Sequence, residues 1–365
     1  MTGPEPRPWI KQLDVYVGGK SKTDGAVKCV KLSSNESALG TSPKALDAYH
    51  AEAKNLHRYP DASYHDLRAA LAAKYDIEAE QILCGIGSDE VLKLACRAYL
   101  APGDEVIFPR HSFMMYPIAA ASYGGVPVEV DDVDYTANVD NMLAAVTDRT
   151  RIVFLANPNN PTGTVLSSGE VERLWRGLPD HVLLVIDGAY AEFIENEDYQ
   201  DGIALVKKSK NVLMTRTFSK LYGLAALRLG WGYSCPEVAQ ILDSIRDPFN
   251  VPSATQVAGV AAIQDSEFET RARKYNSTWR AYLRAELIAL GLDPVPSAAN
   301  FILIRFPDTA RKSAEAANDF LLSHGYILRW LPGQGLQDCL RLTVGTEEEN
   351  KAVIQLLRDF MEQDT

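Results

Sequence analysis

Lys220 lies in the segment Thr215-Arg216-Thr217-Phe218-Ser219-Lys220-Leu221-Tyr222-Gly223-Leu224, with Arg228 eight positions further on. A lysine amine can hold an aldehyde as a Schiff base, provided that it can lose its proton. Upstream, Asn157-Pro158-Asn159-Asn160-Pro161-Thr162-Gly163 carries amides, and the apolar run Leu183-Leu184-Val185-Ile186 ends on Asp187, with Tyr190 three positions on. An aspartate can keep a pyridine nitrogen protonated, while a phenol and an amide can hydrogen-bond a ring hydroxyl. Asn160, Asp187, Tyr190, Lys220 and Arg228 stand 27, 3, 30 and 8 positions apart. None is diagnostic alone. Together they supply what a pyridoxal phosphate site requires and point to an amine-transferring enzyme.

Such a set must be gathered by regular elements. Helical patterns run from Pro43 to Lys54 and from Tyr64 to Tyr75, the second with Leu67, Ala70 and Leu71 on one stripe. Ile82-Leu83-Cys84 leads through Gly85-Ile86-Gly87 into a helix from Ser88 to Tyr99. Short apolar runs at 105–108, 126–130, 151–155, 182–187, 211–214 and 230–233 alternate with helices or turns. That rhythm predicts a largely parallel sheet covered on both faces. Ligands of such sheets bind at the carboxyl ends of strands, where Gly85, Asn157, Asp187 and Thr217 fall. The first 40 or so residues read as an extended arm. A charged helical stretch from about Ala254 to Leu290 precedes a smaller module, with strands near 301–304 and 339–344.

The chain resembles the fold-type I pyridoxal phosphate aminotransferases of class II, and within them the subfamily acting on histidinol phosphate. The likeness runs from Leu32-Ser33-Ser34-Asn35-Glu36 through Arg58-Tyr59-Pro60, Gly87-Ser88-Asp89-Glu90 and the Asn160 and Lys220 segments to Leu340-Arg341-Leu342-Thr343-Val344-Gly345-Thr346. It implies an α/β fold: a large domain with a mostly parallel seven-stranded sheet between helices, plus a small α+β domain. The corresponding division is an arm and part of the small domain over 1–44, the cofactor domain over 45–265 and the small domain over 266–365.

The resemblance also implies roles. Lys220 would bind the cofactor and carry the proton between Cα and C4′, its amine made neutral by Arg228 and the cationic ring. Asp187 would pair with the pyridine nitrogen, Asn160 and Tyr190 with the phenolate oxygen, and Phe113 would stack on the ring, where relatives often carry Tyr. The backbone amides of Gly87, Ser88 and Asp89, at a helix start, would meet the phosphate with Thr217, Ser219 and Arg228. The Asp89 side chain should cap or point away. Tyr59 would reach the phosphate of a neighbouring subunit, implying a homodimer with shared sites. Arg341 would grip the substrate phosphate or the glutamate carboxylate, with Arg329, Tyr16 and Asn35 as further substrate contacts. Asn35-Glu36-Ser37-Ala38-Leu39 departs from the commoner Asn-Glu-Asn-Pro-Leu of the subfamily.

At 365 residues two lobes are expected rather than one core. The 37 Lys and Arg against 48 Asp and Glu give a net charge of −11, which argues against bulk nucleic-acid or anionic-membrane binding. Cys29, Cys84, Cys96, Cys235 and Cys339 have neither metal-like spacing nor a disulfide pattern, so no metal is expected. No apolar run approaches the roughly 18 residues of a membrane span, and the start of the chain does not read as a leader, so the expected setting is cytoplasmic. The expected reaction exchanges an amino group between L-glutamate and 3-(imidazol-4-yl)-2-oxopropyl phosphate, giving 2-oxoglutarate and L-histidinol phosphate. Transamination of aromatic amino acids is the nearest rival, and a pyridoxal phosphate decarboxylase or lyase the next. A cofactor-sensing regulator, which would carry a fused DNA-binding segment, is not expected, because neither a basic stretch nor room for a helix-turn-helix precedes the arm.

Overall fold

The computed structural model describes residues 3–13, 29–196 and 198–363. Tyr16 lies outside the described residues. Seven strands, β1 (Ile82–Ile86), β2 (Glu105–Pro109), β3 (Val126–Val130), β4 (Thr150–Ala156), β5 (Leu183–Asp187), β6 (Val212–Thr217) and β7 (Leu229–Ser234), form one sheet in the order β1-β7-β6-β5-β4-β2-β3. β7 runs antiparallel to both β1 and β6, and the other four pairings are parallel. The sheet is therefore mostly parallel, with one strand reversed.

Both faces are covered, which is why the central strands are apolar at consecutive positions rather than alternating. On β5, Leu184 and Ile186 join the core of one face, while Leu183 and Val185 join that of the other. Each such fully buried side chain contributes about 1.5–3 kcal/mol relative to exposure. Two helices, α1 (Pro43–Glu52) and α2 (His65–Tyr75), lie on the first face. α3 (Ser88–Tyr99) and α4 (Met115–Ser122) cover the second. α3 buries Val91, Leu92 and Ala95 and turns Lys93 and Arg97 outward.

The helical stretch expected over 254–290 is two helices, Ser253–Ile263 and Ser266–Ala289. They part at Gln264-Asp265, where the Asp265 carboxylate caps the second helix by accepting the Phe268 N–H. The same carboxylate accepts the Ser42 hydroxyl at 2.6 Å, tying this break to the start of α1. An N-capping aspartate that also holds another element gives the chain a reason to stop one helix and start the next.

The second lobe is built on a four-stranded antiparallel sheet of Asp293–Pro294, Phe301–Arg305, Leu336–Thr343 and Arg329–Leu331. The helices Ala314–Ser323 and Glu347–Glu362 share its core with the end of Ser266–Ala289. Val30–Lys31 pairs in parallel with Tyr326–Ile327, and the Thr343 N–H donates to the Leu32 carbonyl. The segment after Lys31 is thereby pinned to the second lobe, and it delivers Ser33 to Glu36 to the boundary between the lobes.

Candidate active site

At the carboxyl ends of β4, β5 and β6 lies a cavity of about 250 Å³, bordered by Asn160, Asp187, Tyr190, Ser219, Lys220 and Arg228 among others. The parallel register explains the meeting: Ala156 pairs with Asp187, and Asp187 with Thr215, so three strand ends finish level. Phe113, Ser88, Asp89 and Thr217 border the same space.

Asp187 is 4% exposed, and its two carboxylate oxygens accept O–H groups from Tyr116 at 2.9 Å and Thr215 at 3.1 Å. Burial raises its pKa to about 6, against the lowering effect of those donors. At pH 7 the carboxylate is thus anionic and ready for a cationic partner. Lys220 reaches the Ser34 carbonyl at 3.3 Å and lies 5.8 Å from the Tyr190 ring centroid. Its pKa is lowered to about 8, first by burial and then by Arg341, with Arg228 a lesser contributor. Desolvation, rather than the expected Arg228 charge, leads in making this amine available as a nucleophile.

The Tyr190 hydroxyl accepts the Asn35 Nδ2–H at 2.8 Å, which leaves its own proton to donate elsewhere. Burial pushes the Tyr190 phenol up to about 12, so it remains protonated at neutral pH. Asn35 sits at φ 55° and is held by Thr343, whose hydroxyl donates to Asn35 Oδ1 at 3.1 Å. Its side chain therefore orients Tyr190. Asn160 Oδ1 accepts from Arg341 Nη1, an arrangement that turns its Nδ2 donor to other work.

At the other end of the cavity α3 presents its first turn, whose leading N–H groups have no acceptor within the helix. Gly87 is the cap residue at φ 76°, and a Cβ there would stand 2.6 Å from Arg228 Nη2. Its own N–H is taken by the Arg228 carbonyl at 2.8 Å, which corrects the expectation that it serves an anion. Ser88 and Asp89 keep that position. Asp89 neither caps nor points away; its carboxylate accepts Arg228 Nη2 at 3.0 Å. Arg228 Nη1 also reaches the Ser219 hydroxyl at 3.4 Å. Thr217 is tied to Ser219 rather than turned freely to the cavity, its Oγ1 lying 3.0 Å from Ser219 Oγ.

A second hollow of about 160 Å³ adjoins the first, sharing Phe113, Asn160, Tyr190 and Lys220 and adding Arg341 and Arg329. Arg329 and Arg341 are direct cross-strand partners, so both project from one face of the second lobe's sheet. Two opposed cations on one face favour an anion between them. Arg341 is further fixed by the Ser33 carbonyl at 2.7 Å and by the Phe301 ring, 5.2 Å from its guanidinium.

Tyr59 is placed elsewhere. It is 84% exposed, stacks on Phe249 with centroids 4.8 Å apart, and does not border either hollow. Tyr116 and Thr215 were not among the expected site residues. Tyr116 stands in the segment that supplied Phe113, and Thr215 opens the Lys220 segment, but only the packing of α4 on the sheet brings Tyr116 to Asp187, and only the register of β5 and β6 brings Thr215. Among the described residues no cluster of His, Cys, Asp and Glu could hold a metal ion, and no helix is long and apolar enough to cross a membrane.

The donor set suits a pyridine ring bearing an aldehyde and a phosphate. An amine of lowered pKa, an anionic carboxylate, a hydroxyl donor and a helix start with an arginine border one space of suitable size. The family model for aminotransferase class I and II matches residues 27–357. A histidinol-phosphate aminotransferase of Paramagnetospirillum magneticum is 53% identical over 99% of both chains. One of Ruegeria pomeroyi is 50% identical over 98% of both. Among solved structures, the histidinol-phosphate aminotransferase of Sinorhizobium meliloti in complex with pyridoxal-5′-phosphate superposes with a TM-score of 0.90, at 29% identity over 99% of this chain and 98% of that one.

Proposed function

The chain belongs to the class I and II aminotransferase family, and we propose that it exchanges an amino group between L-histidinol phosphate and 2-oxoglutarate, giving 3-(imidazol-4-yl)-2-oxopropyl phosphate and L-glutamate, with pyridoxal 5′-phosphate as cofactor. This is a step of histidine biosynthesis, run by a cytoplasmic homodimer whose subunits share their sites. One observation carries the reading: the cavity holding Lys220 and Asp187 opens directly onto the hollow holding Arg329 and Arg341. The half-and-half identity to named histidinol-phosphate aminotransferases supports the choice of substrate.

Bound pyridoxal phosphate supplies an aldehyde for amine exchange and a protonated ring that withdraws electrons from the substrate Cα. Lys220 would hold the aldehyde, and its neutral amine, when free, would carry the proton between Cα and C4′. Asp187 keeps the ring nitrogen protonated. Asn160 Nδ2 and the Tyr190 hydroxyl would donate to the ring oxygen, with Asn35 holding Tyr190 in the orientation to do so. The Ser88 and Asp89 amides, Ser219 and Arg228 hold the cofactor phosphate, with Thr217 steadying Ser219. Phe113, which borders the cavity, would pack against the ring. Asp89 fixes Arg228 in place, at some cost in repulsion with the phosphate. Tyr59 adds a hydroxyl to the phosphate in the neighbouring subunit.

Arg341 and Arg329 grip an anion: the ester phosphate in one half-reaction and a carboxylate of glutamate in the other. A guanidinium suits both because its fork matches carboxylate and phosphate oxygens alike. With 2-oxoglutarate as acceptor, kcat/KM for L-histidinol phosphate should exceed that for L-phenylalanine, because the phosphate ester brings up to two negative charges to the arginine pair where the phenylalanine carboxylate brings one. A preference for phenylalanine would transfer the chain to aromatic transamination. Turnover of histidinol phosphate without any keto acid would point to a lyase.

A further inference from the structure

The carboxylate of Asp187 is not left to the cavity alone. Tyr116 and Thr215 donate one O–H to each of its oxygens, and the Ala189 N–H adds a third donor. Tyr116 is 0% exposed and does not border the cavity, so it touches neither cofactor nor substrate. Its ring stacks on Phe154 with centroids 4.6 Å apart and planes 5° apart, and it meets Phe113 edge-on at 5.8 Å. The hydroxyl is thus delivered to Asp187 by a fixed aromatic stack on the second face of the sheet. Thr215 arrives from the neighbouring strand through the β5–β6 register.

We propose that Tyr116, with Thr215, is a positioning residue that sets how the proton is divided between Asp187 and the cofactor ring nitrogen. The proposal rests on the aminotransferase reading above. A donor to a carboxylate stabilises its charged form and weakens it as a base. Without that donor the buried carboxylate becomes a stronger base and draws the proton off the ring nitrogen. The ring then loses positive charge and withdraws fewer electrons. The remaining ionisable groups around Asp187 do not compensate. Asp89 is an acid whose negative charge disfavours ionisation of Asp187, and the Tyr190 and Tyr199 phenols, held protonated by burial, bring no positive charge. No cation ranks among the principal influences on Asp187, so hydrogen-bond donors are what hold it ionised.

Tyr116→Phe keeps the ring stack and removes only the donor; Thr215→Val does the same from β6. The holoprotein is titrated by its visible absorbance, and kcat and KM are measured beside it. The midpoint of the absorbance titration should rise by about one pH unit in Tyr116→Phe, the size expected for one hydrogen bond to a charged group. kcat should fall about tenfold with KM little changed. Replacing Tyr116 with 3,5-difluorotyrosine strengthens the donor and should move the midpoint the other way, a reversal that a purely structural role would not produce. Fully loaded variants with an unchanged titration overturn the proposal. Should Tyr116→Phe fail to fold, Thr215→Val and the fluorinated protein decide it by the same criterion. Failure of the wild-type protein to load cofactor would instead sink the functional reading itself.

Discussion

Lys220 shows how burial alone can make an ordinary side chain reactive. A solvated lysine has a pKa near 10.4 and is almost wholly charged at neutral pH. Here burial and the Arg341 charge bring it to about 8, while Asp89 and Glu36 pull in the opposite direction. Only the neutral amine attacks an aldehyde. The rate at which the cofactor-free protein captures pyridoxal phosphate should therefore rise with pH and level off above about 8, rather than climbing toward 10. Stopped-flow absorbance gives that profile directly, and a midpoint near 10 would mean that Lys220 is solvated. Arg341→Ala should move the midpoint upward, because the guanidinium is the leading charge that disfavours protonation.

Glycine at β7 carries a comparable argument for whole elements. Gly230 pairs with Gly85 on one side and Thr217 on the other, and a Cβ there would lie 2.0 Å from the Ser88 backbone nitrogen. That neighbour is main chain at the start of α3 and cannot rotate away. Gly230→Ala must push α3 off the sheet, moving the amides that face the phosphate. Overpacking of this kind costs about 1–3 kcal/mol. The expected outcome is a lower melting temperature together with at least a tenfold rise in cofactor Kd, read by equilibrium binding. Unchanged affinity would mean that the α3 start is not the phosphate site. The apolar runs at 82–84, 105–108, 151–155 and 182–187 announced their strands because both faces are buried, and the Ser88–Tyr99 helix announced itself by its stripe. The reversed direction of β7 was not legible, since Gly230-Trp231-Gly232-Tyr233 reads alike in either sense. The break at Asp265 was hidden by helix-forming residues on both sides. Lys220, Asp187 and Asn160 stood out by type and spacing, whereas Thr215 depends on which strand lies beside which and Tyr116 on which helix packs over them.

At the scale of the whole molecule, Tyr59 and Phe249 form an exposed aromatic pair that borders neither hollow of the site. Phe249 sits at φ 58°, in a backbone region that bulky residues rarely occupy, and the next residue, Asn250, is buried and accepts the Tyr64 hydroxyl at 2.6 Å. Asn250 also donates to the carboxylate of Glu90, in the first turn of α3, at 2.7 Å, and that carboxylate accepts the Ile86 N–H at the end of β1. The aromatic pair is thus rigidly connected to the phosphate end of its own site while its surface faces outward. If a second copy covers it, Tyr59 supplies its hydroxyl there, and Tyr59→Phe should raise cofactor Kd about tenfold, the loss of one charge-assisted hydrogen bond. Mixing subunits separates this from an effect within one chain. In a hybrid of Lys220→Ala and Tyr59→Phe subunits, the Tyr59→Phe chain keeps its own Lys220 and receives an intact Tyr59 from its partner. That one site should bind cofactor with wild-type affinity, whereas every site in the Tyr59→Phe homodimer binds weakly. A hybrid whose Lys220-bearing site stays weak would place the action of Tyr59 within its own subunit, and sedimentation of the wild-type chain as a monomer would remove the shared site altogether.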